Sequence, residues 1–270
     1  MDPPAKRTAL VTGASAGIGE ALARVFAEHG FDLVLVARRE ERLQALSREL
    51  GDRFQVDARI LVADLADPAA PARIFEKCRA GGRQVDALVN NAGYGLGGRF
   101  LDSSWDAHAR LIQVMVTAPA ELTWRFLPGM IDRGYGRIIN VASLAGLVPA
   151  SAGHTLYGAS KAFMIKFSES VALETRRHGV HVTALCPGFT YTQFHDVSGT
   201  RELVSQLPKW MWMDAESVAR DGYDAVMRGQ IVRVPGRANR TVALLVRLLP
   251  PSLLTSIARR QGRRFRKAGE

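Results

Sequence analysis

The stretch Thr8–Gly19, TALVTGASAGIG, decides the fold. Five residues of high strand propensity run directly into three glycines, Gly13, Gly17 and Gly19, and helical periodicity continues from Ile18 to His29. Glycines at these positions let the backbone turn tightly and approach a pyrophosphate, which then rests on the helix N-terminus. Because glycine-rich strand–helix turns also serve plain packing, the motif needs support from the rest of the chain.

Alternation of strands and helices continues over the first two-thirds of the chain. Near-continuous apolar runs, typical of strands covered on both faces, are DLVLVA (32–37), RILVAD (59–64), DALVNN (86–91), GRIINVAS (136–143) and HVTALCP (181–187). Helical segments such as Glu40–Leu50 lie between them, and Gln230–Val234 is a candidate seventh strand. This order predicts right-handed βαβ units in one α/β domain, a doubly wound parallel sheet with helices on both faces.

The net charge of +10 is confined to one end of the 270-residue chain. Residues 228–270 hold eleven basic residues and one acidic residue, whereas residues 1–227 hold 25 of each. A nucleic-acid-binding domain carries its basic patch on the folded surface that contacts the nucleic acid. We therefore expect no nucleic-acid partner.

The two cysteines, Cys78 and Cys186, have neither a CxxC neighbour nor a metal-ligand pattern around them. No disulfide framework and no metal site are expected, and a reducing, cytoplasmic location fits best. Cys186 is interpreted as a buried strand residue. The first strand begins within a few residues of Met1, which leaves no room for a signal peptide, and the apolar run 242–246 is too short to span a bilayer.

Polar residues end the third and fourth predicted strands. Asp64 and Leu65 follow the third, where a carboxylate can accept a hydrogen bond from an adenine amine, and Asn90-Asn91-Ala92-Gly93 follows the fourth. In a doubly wound sheet ligands bind at the carboxyl ends of the strands, where the strand order reverses. These residues are therefore candidates for the same site as the glycine turn.

Together, TGxxxGIG, NNAG and a serine upstream of YxxxK resemble the short-chain dehydrogenase/reductase family over residues 7–195. The later RVPG (233–236) and RLLPPSLL (247–254) resemble its bacterial ketoacyl and carbonyl reductase branch. The resemblance implies a seven-stranded Rossmann fold, hydride transfer between NAD(P) and a carbonyl or alcohol, and a homodimer or homotetramer. The predicted cofactor-binding residues are Gly13, Ser15, Gly17, Ile18, Gly19, Arg38, Arg39, Asp64, Leu65, Asn90, Ala92, Gly93, Tyr157, Lys161, Pro187, Gly188 and Thr192.

The end of the second strand indicates which dinucleotide is bound. It reads Val36-Ala37-Arg38-Arg39, with no carboxylate before Glu40. An acidic residue at this point holds the ribose hydroxyls of NAD, whereas arginine accommodates the 2′-phosphate of NADP. We therefore expect NADP(H) to be bound in preference to NAD(H). The alternative is that the two arginines only cover the solvated start of the next helix.

The predicted catalytic residues are Ser143, Tyr157 and Lys161. Tyr157 and Lys161 lie four residues apart, on one face of a helix. A phenol has an ordinary pKa near 10, and we expect the neighbouring ammonium, together with the positive nicotinamide of the oxidised cofactor, to lower it. Tyr157 then exchanges a proton with the substrate oxygen and Ser143 hydrogen-bonds that oxygen. In the family this lysine also holds the nicotinamide ribose.

One position departs from the family pattern. Family members usually carry an asparagine that supports a water-mediated proton relay to the lysine, and the corresponding residue here is Met115, in Gln113-Val114-Met115-Val116. A thioether is a weak acceptor and donates nothing. Gln113 and Thr117 face other directions on a helix, so neither replaces the asparagine.

The substrate is less well specified than the cofactor. Residues 1–250 are predicted to form the dinucleotide-binding domain, with a substrate loop at about 190–228 that contains the apolar Leu207–Met213. This segment is interpreted either as an adaptable lid or as local core packing. With Leu144, Leu147 and Leu156 near the catalytic residues, it favours lipid-like or aromatic carbonyls over sugars.

Residues 251–270 form a predicted basic amphipathic tail. Its pattern fits an interfacial helix drawn to anionic lipid, which would make the protein peripheral to the membrane. It fits equally a helix docked on its own domain or on a partner subunit.

Three functions follow from these features. The first is an NADPH-dependent reductase of an apolar ketone or 3-ketoacyl chain. The second is an alcohol or hydroxysteroid-like dehydrogenase working in the oxidative direction, which Arg38 and Arg39 weakly oppose. The third is a catalytically idle NADP(H)-binding regulator, supported by Met115 alone.

Overall fold

The computed structural model describes residues 6–150, 155–192, 208 and 211–249. The strands in these ranges are β1 (Thr8–Thr12), β2 (Asp32–Ala37), β3 (Ala58–Val62), β4 (Val85–Asn90), β5 (Gly136–Val141), β6 (Val180–Leu185), β7 (Phe189–Thr190), β8 (Trp212–Met213) and β9 (Val232–Arg233). The α-helices are α1 (Gly17–Glu28), α2 (Glu40–Phe54), α3 (Ala70–Ala80), α4 (Trp105–Ile112), α5 (Ala118–Asp132), α6 (Thr155–Thr175), α7 (Ala215–Met227) and α8 (Arg237–Leu248).

The main sheet is parallel throughout, with seven strands in the order β3–β2–β1–β4–β5–β6–β9. The predicted doubly wound Rossmann fold in a single domain is confirmed. The candidate seventh strand is present but shorter than predicted, at two residues. Strand order reverses between β1 and β4, so the crevice for a ligand opens at their carboxyl ends.

Both faces of the sheet are covered because successive strand residues point to opposite sides. In β1, Ala9 and Val11 pack with α1, α2 and α7, while Leu10 packs with α3 to α6. This two-sided burial explains why the strands read as unbroken apolar runs. For β1, β2, β4 and β6, the strand boundaries predicted from these runs agree with the structure to within one or two residues.

A π-helical segment, Gln113–Thr117, joins α4 to α5. Its cause is Pro119, which has no N–H for the Met115 carbonyl four residues earlier and whose ring presses on that carbonyl in an α-helix. The wider turn relieves the clash, and Ala118 N–H bonds to Gln113 O five residues back. Met115 is thereby placed at the centre of an irregular turn, a local structure often found at functional sites.

Several predicted features lie wholly or partly outside the described residues. The tail at 251–270 lies outside them, as do residues 193–207 of the substrate loop. The remainder of that loop includes α7, which packs against α1 in the core. Within the described residues, no helix has the length and apolar character that crossing a bilayer requires.

Candidate active site

The glycine turn and the NNAG segment are bonded to each other at the carboxyl ends of β1 and β4. Thr12 Oγ1 accepts from the backbone N–H groups of Asn91 and Ala92 at 3.0 and 3.2 Å, and Asn91 Nδ2 donates to Thr12 O at 2.9 Å. Gly13 has a φ of +66°, and a methyl group there would lie 2.7 Å from Asn91 Nδ2. Glycine is therefore required where the two loops meet.

The N-terminus of α1 is open toward this crevice. Its N-cap, Ala16, offers no side-chain hydrogen bond, so the first backbone N–H groups of the helix are left for an anion. Gly17 has a φ of +61°, and a methyl group there would meet the Thr192 side chain at 2.9 Å. Thr192 is therefore in contact with the glycine turn, while Ile18 packs on the core and Gly19 is buried.

The predicted phosphate-binding arginines stand at the edge of the same turn. Arg39 donates from Nη2 to Ser15 Oγ at 2.9 Å and to Ser15 O at 3.3 Å. Burial, followed by the positive charges of Arg42 and Arg38, lowers the pKa of Arg39. Both Arg38 and Arg39 are exposed. A positive cluster with one guanidinium already oriented is therefore available to a dianion.

At the end of β3, Asp64 already has partners. Its Oδ1 accepts from Ala66 N at 3.0 Å, and its Oδ2 lies 3.5 Å from Arg110 Nη2. The Leu65 side chain is buried in the core. Of these two predicted contacts, Asp64 can still accept a further hydrogen bond, whereas Leu65 can offer a ligand only its backbone.

Asn90 is buried and its amide faces the interior. Its Nδ2 donates to Asn140 Oδ1 at 2.8 Å, and Asn140 Nδ2 donates to Ser168 Oγ at 2.9 Å. This chain joins β4, β5 and α6 beneath the crevice. The Asn90 side chain therefore holds these elements in place, while Gly93, which is exposed, lies on the crevice itself.

Ser143 and Tyr157 are brought together by a tight turn after β5. The Ser143 hydroxyl accepts from Ala145 N at 3.1 Å at the start of the 3-10 turn Leu144–Gly146, and it hydrogen-bonds the Tyr157 side chain. A methyl group on Gly146 would lie 2.6 Å from the backbone of Lys161. Only glycine permits the turn to approach α6 this closely.

Lys161 is a buried ammonium that has one hydrogen-bond acceptor among the described residues. It is 6% exposed, its Nζ donates to Val141 O at 2.7 Å, and the Nζ lies 5.7 Å from the centroid of the Tyr157 ring. Burial lowers the pKa of Lys161 to about 8, and Cys186 opposes this shift. Since an ammonium has three donors, Lys161 retains two for a ligand or for water.

The expected lowering of the Tyr157 pKa is wrong for the protein chain itself. Burial raises the pKa of Tyr157 above its ordinary value, and the hydrogen bond with Ser143 only partly opposes this. Desolvation disfavours the phenolate, and it outweighs the hydrogen bond with Ser143. Tyr157 is therefore a neutral phenol at neutral pH, as a proton donor must be.

Met115 lies where the family pattern has asparagine, and it is 2% exposed. Its Sδ is 4.0 Å from Ser160 Oγ, and a methyl group on Gly93 would lie within 3.8 Å of both the Met115 side chain and Lys161 Nζ. Ser160 Oγ donates to Tyr157 O at 2.8 Å. The Met115 side chain and the Lys161 ammonium therefore both border Gly93.

The carboxyl end of β6 closes the site from the other side. Leu144 N donates to Pro187 O at 2.9 Å, which ties this loop to the serine turn. Gly188 lies under Asn239 of α8, because a methyl group on Gly188 would meet the Asn239 amide at 2.5 Å. Cys186 is fully buried, and burial raises the pKa of its thiol to about 12, which excludes a nucleophilic role at neutral pH.

A shallow open cleft with a cavity volume of only about 10 Å³, roughly the space of one water molecule, adjoins Tyr157. Its lining includes Leu96, Phe100, His108, Leu111 and Leu156, of which sequence analysis identified only Leu156. The described part of the predicted lid is placed differently. Trp212 and Met213 form β8, where the Trp212 ring stacks on Tyr191 at 4.7 Å and Met213 packs on the core.

Sequence reasoning did not assign roles to Thr12, Asn91 and Asn140, which hold the loops in place. The sequence does contain a signal for Asn140, because it is a polar residue inside an apolar strand. A buried polar side chain needs a hydrogen-bond partner, which indicates a structural role. The backbone acceptor Val141 O had no such signal, because any residue supplies a carbonyl.

Comparison with known proteins agrees with this geometry. Residues 7–202 match the family model described as short chain dehydrogenase. The oxidoreductase UcpA of Escherichia coli K12 is 38% identical over 186 residues, which are 69% of this chain and 70% of that protein.

Two solved structures extend the similarity to most of the fold. A short-chain dehydrogenase from Sphingobium yanoikuyae in complex with NADPH has a TM-score of 0.80 and 35% identity, covering 88% of this chain and 91% of its own. The bulky-bulky ketone specific alcohol dehydrogenase from Comamonas testosteroni has a TM-score of 0.75 and 31% identity, covering 88% and 90%. The chain therefore belongs to the short-chain dehydrogenase/reductase family.

Proposed function

We propose that this protein is an NADP(H)-dependent oxidoreductase that reduces an apolar ketone to a secondary alcohol, with Tyr157 as the proton donor. The observation that carries the proposal is the arrangement of Ser143, Tyr157 and Lys161: a neutral phenol hydrogen-bonded to a serine, with a buried ammonium 5.7 Å from its ring. The three side chains lie beside an anion-binding glycine turn at the switch point of the sheet. Groups suited to acid–base catalysis and to dinucleotide binding thus occur together in one crevice.

The residues present fit NADP(H). The glycine turn and the uncapped N-terminus of α1 suit a pyrophosphate, and two unused donors of Lys161 suit ribose hydroxyls. The mutual repulsion of Arg38, Arg39 and Arg42 is relieved by a dianionic 2′-phosphate. The NADPH found in the Sphingobium relative supports the same choice.

Side chains of the protein itself transfer the one proton that the reduction requires. NADPH, when bound, supplies the hydride. Tyr157 Oη gives its proton to the substrate oxygen as negative charge develops there, and the Ser143 hydroxyl donates a hydrogen bond to that same oxygen. The Lys161 ammonium, desolvated beside the ring, stabilises the phenolate that is left.

The cleft beside Tyr157 supports an apolar substrate. Its lining is mixed: Leu96, Phe100, Leu111 and Leu156 stand beside polar side chains that include Arg99 and His108. The apolar part of the wall gains from burying alkyl or aromatic surface, and the polar part can orient a ligand. The name of the Comamonas relative, which refers to bulky ketones, agrees with this class. The 3-ketoacyl chain is a narrower form of the same proposal.

The raised pKa of Tyr157 is consistent with a protonated phenol, the form in which the reductive direction begins. The oxidative direction begins with phenolate, which burial disfavours. A cytoplasmic homodimer or homotetramer completes the proposal, and it is supported by the large exposed apolar side chains Trp105 on α4, Trp124 on α5 and Leu173 on α6.

Replacing Tyr157 with Phe is expected to lower kcat at least about 100-fold, because the acid is removed. NADPH binding, measured by fluorescence titration, should stay near the wild-type value. Tyr135→Phe, at the opposite end of β5, is the control and should retain full activity. Substantial turnover by the Tyr157 variant would refute the proposed mechanism.

Replacing Lys161 with Met is expected to abolish turnover and stabilise the free protein. The pKa lowered from 10.5 to about 8 means that the buried ammonium costs about 3 kcal/mol at neutral pH, against about 1 kcal/mol from the lost hydrogen bond to Val141. Urea unfolding at neutral pH should show a net gain of about 2 kcal/mol.

The stability gained by Lys161→Met depends on pH, because the pKa of Lys161 differs between the folded and the unfolded chain. Below about pH 8 both the folded and the unfolded chain carry the Lys161 proton, so the penalty is complete. As the pH rises toward 10.5 the folded wild type loses its proton first and becomes more stable relative to the variant. A wild type that equals or exceeds the variant in stability at neutral pH contradicts the assignment.

Arg38→Asp is expected to shift the ratio of kcat/KM for NADPH over NADH toward NADH by at least about tenfold, through loss of a charge-assisted contact and repulsion of the 2′-phosphate. Arg48→Asp, at an exposed arginine on α2 away from the crevice, makes the same change in charge and should leave the ratio unaltered. An unchanged ratio in the Arg38 variant would remove the NADP assignment from this residue.

Met115→Asn is expected to raise kcat, because an amide beside Lys161 and Ser160 can pass hydrogen bonds that a thioether cannot. Met115→Leu conserves volume without adding polarity and should leave kcat near the wild-type value. Steady-state kinetics together with thermal unfolding check both variants. A fall in kcat with the fold intact would show that the pocket is built around methionine.

A further inference from the structure

Helix α8 presents an apolar face that no other described element covers. Leu244, Leu245 and Leu248 are 57%, 49% and 71% exposed. Their spacing places them on adjoining positions of one helix face. Such a contiguous group of exposed leucines is unusual on a soluble surface and indicates a contact with another apolar phase.

The base of α8 is held firmly by the domain. Asn239 is buried, and its Nδ2 donates to Pro235 O at 3.0 Å and lies 3.5 Å from Met213 Sδ. The same amide packs on Gly188. The helix is therefore fixed at its first turns, and its leucines project from the later turns.

Positive charge borders this face. Arg237, Arg240 and Arg247 are exposed, and within the described residues none of them forms an ion pair. The helix contains no acidic residue. The sequence that follows it, residues 249–270, adds six basic residues and one acidic residue.

We propose that α8 binds the surface of an anionic phospholipid bilayer, with its three leucines entering the headgroup region and Arg240 and Arg247 contacting phosphates. Leucines bordered by arginines are the pattern of an interfacial helix. A second copy of this chain, paired through the same face, would instead bring two positive helices together without a compensating carboxylate. The proposal concerns location and stands apart from the proposed reaction.

Sedimentation of the full chain with vesicles tests the proposal. Wild type should bind vesicles containing phosphatidylglycerol, bind pure phosphatidylcholine much more weakly, and dissociate as salt is raised. Leu248→Ser should weaken partitioning about tenfold, whereas Leu101→Ser, at a leucine elsewhere that is even more exposed, should not. Arg247→Glu should weaken it by about tenfold, and Arg48→Glu is the matched control.

Three results would overturn the proposal. The first is equal binding of wild type to neutral and anionic vesicles. The second is partitioning of Leu248→Ser and Arg247→Glu at the wild-type level. The third is light scattering that shows a wild-type oligomer dissociated by Leu248→Ser, since a second copy would then cover this face.

Discussion

The hydrogen bond from Lys161 Nζ to Val141 O, at 2.7 Å, is the interaction on which the site depends. It ties α6 to the carboxyl end of β5 and places a positive charge beneath the crevice. Burial makes that charge costly, as the lowered pKa of Lys161 shows. An apolar side chain would suit the position better for folding alone, so the fold retains an unfavourable group at the point where charge is useful to the chemistry.

Hydrogen bonds around the Lys161 ammonium fix the positions of the loops that carry the other site residues. Thr12 and Asn91 lock the glycine turn to β4, and the bond from Leu144 N to Pro187 O locks the serine turn to β6. Four strand ends thereby form one rigid wall. Preorganised donors of this kind need no rearrangement when charge develops on a bound molecule, which is the usual source of electrostatic catalysis.

The sequence predicts the fold well because two-sided burial leaves a signal in every central strand, and it predicts the site motifs because glycine, serine, tyrosine and lysine stand at ordered spacings. It does not predict the raised pKa of Tyr157, where desolvation exceeds the effect of the hydrogen bond with Ser143, since burial depends on how α6 packs. The π turn at Met115 was missed although its cause, Pro119, is visible in the sequence. The inward direction of the Asn90 amide depends on partners 33 to 50 residues away.

The surroundings of the arginines determine which kind of group each of them is suited to bind. Arg38, Arg39 and Arg42 gather where a strand ends beside an open helix N-terminus, and a polar, oriented setting of that kind suits a phosphate of a small molecule. Arg240 and Arg247 stand instead among exposed leucines on a helix without acids. Charge with adjoining apolar area favours a surface that is itself both anionic and apolar, which is a lipid headgroup layer rather than a nucleotide. The same residue type therefore supports two different kinds of contact at two places in one chain.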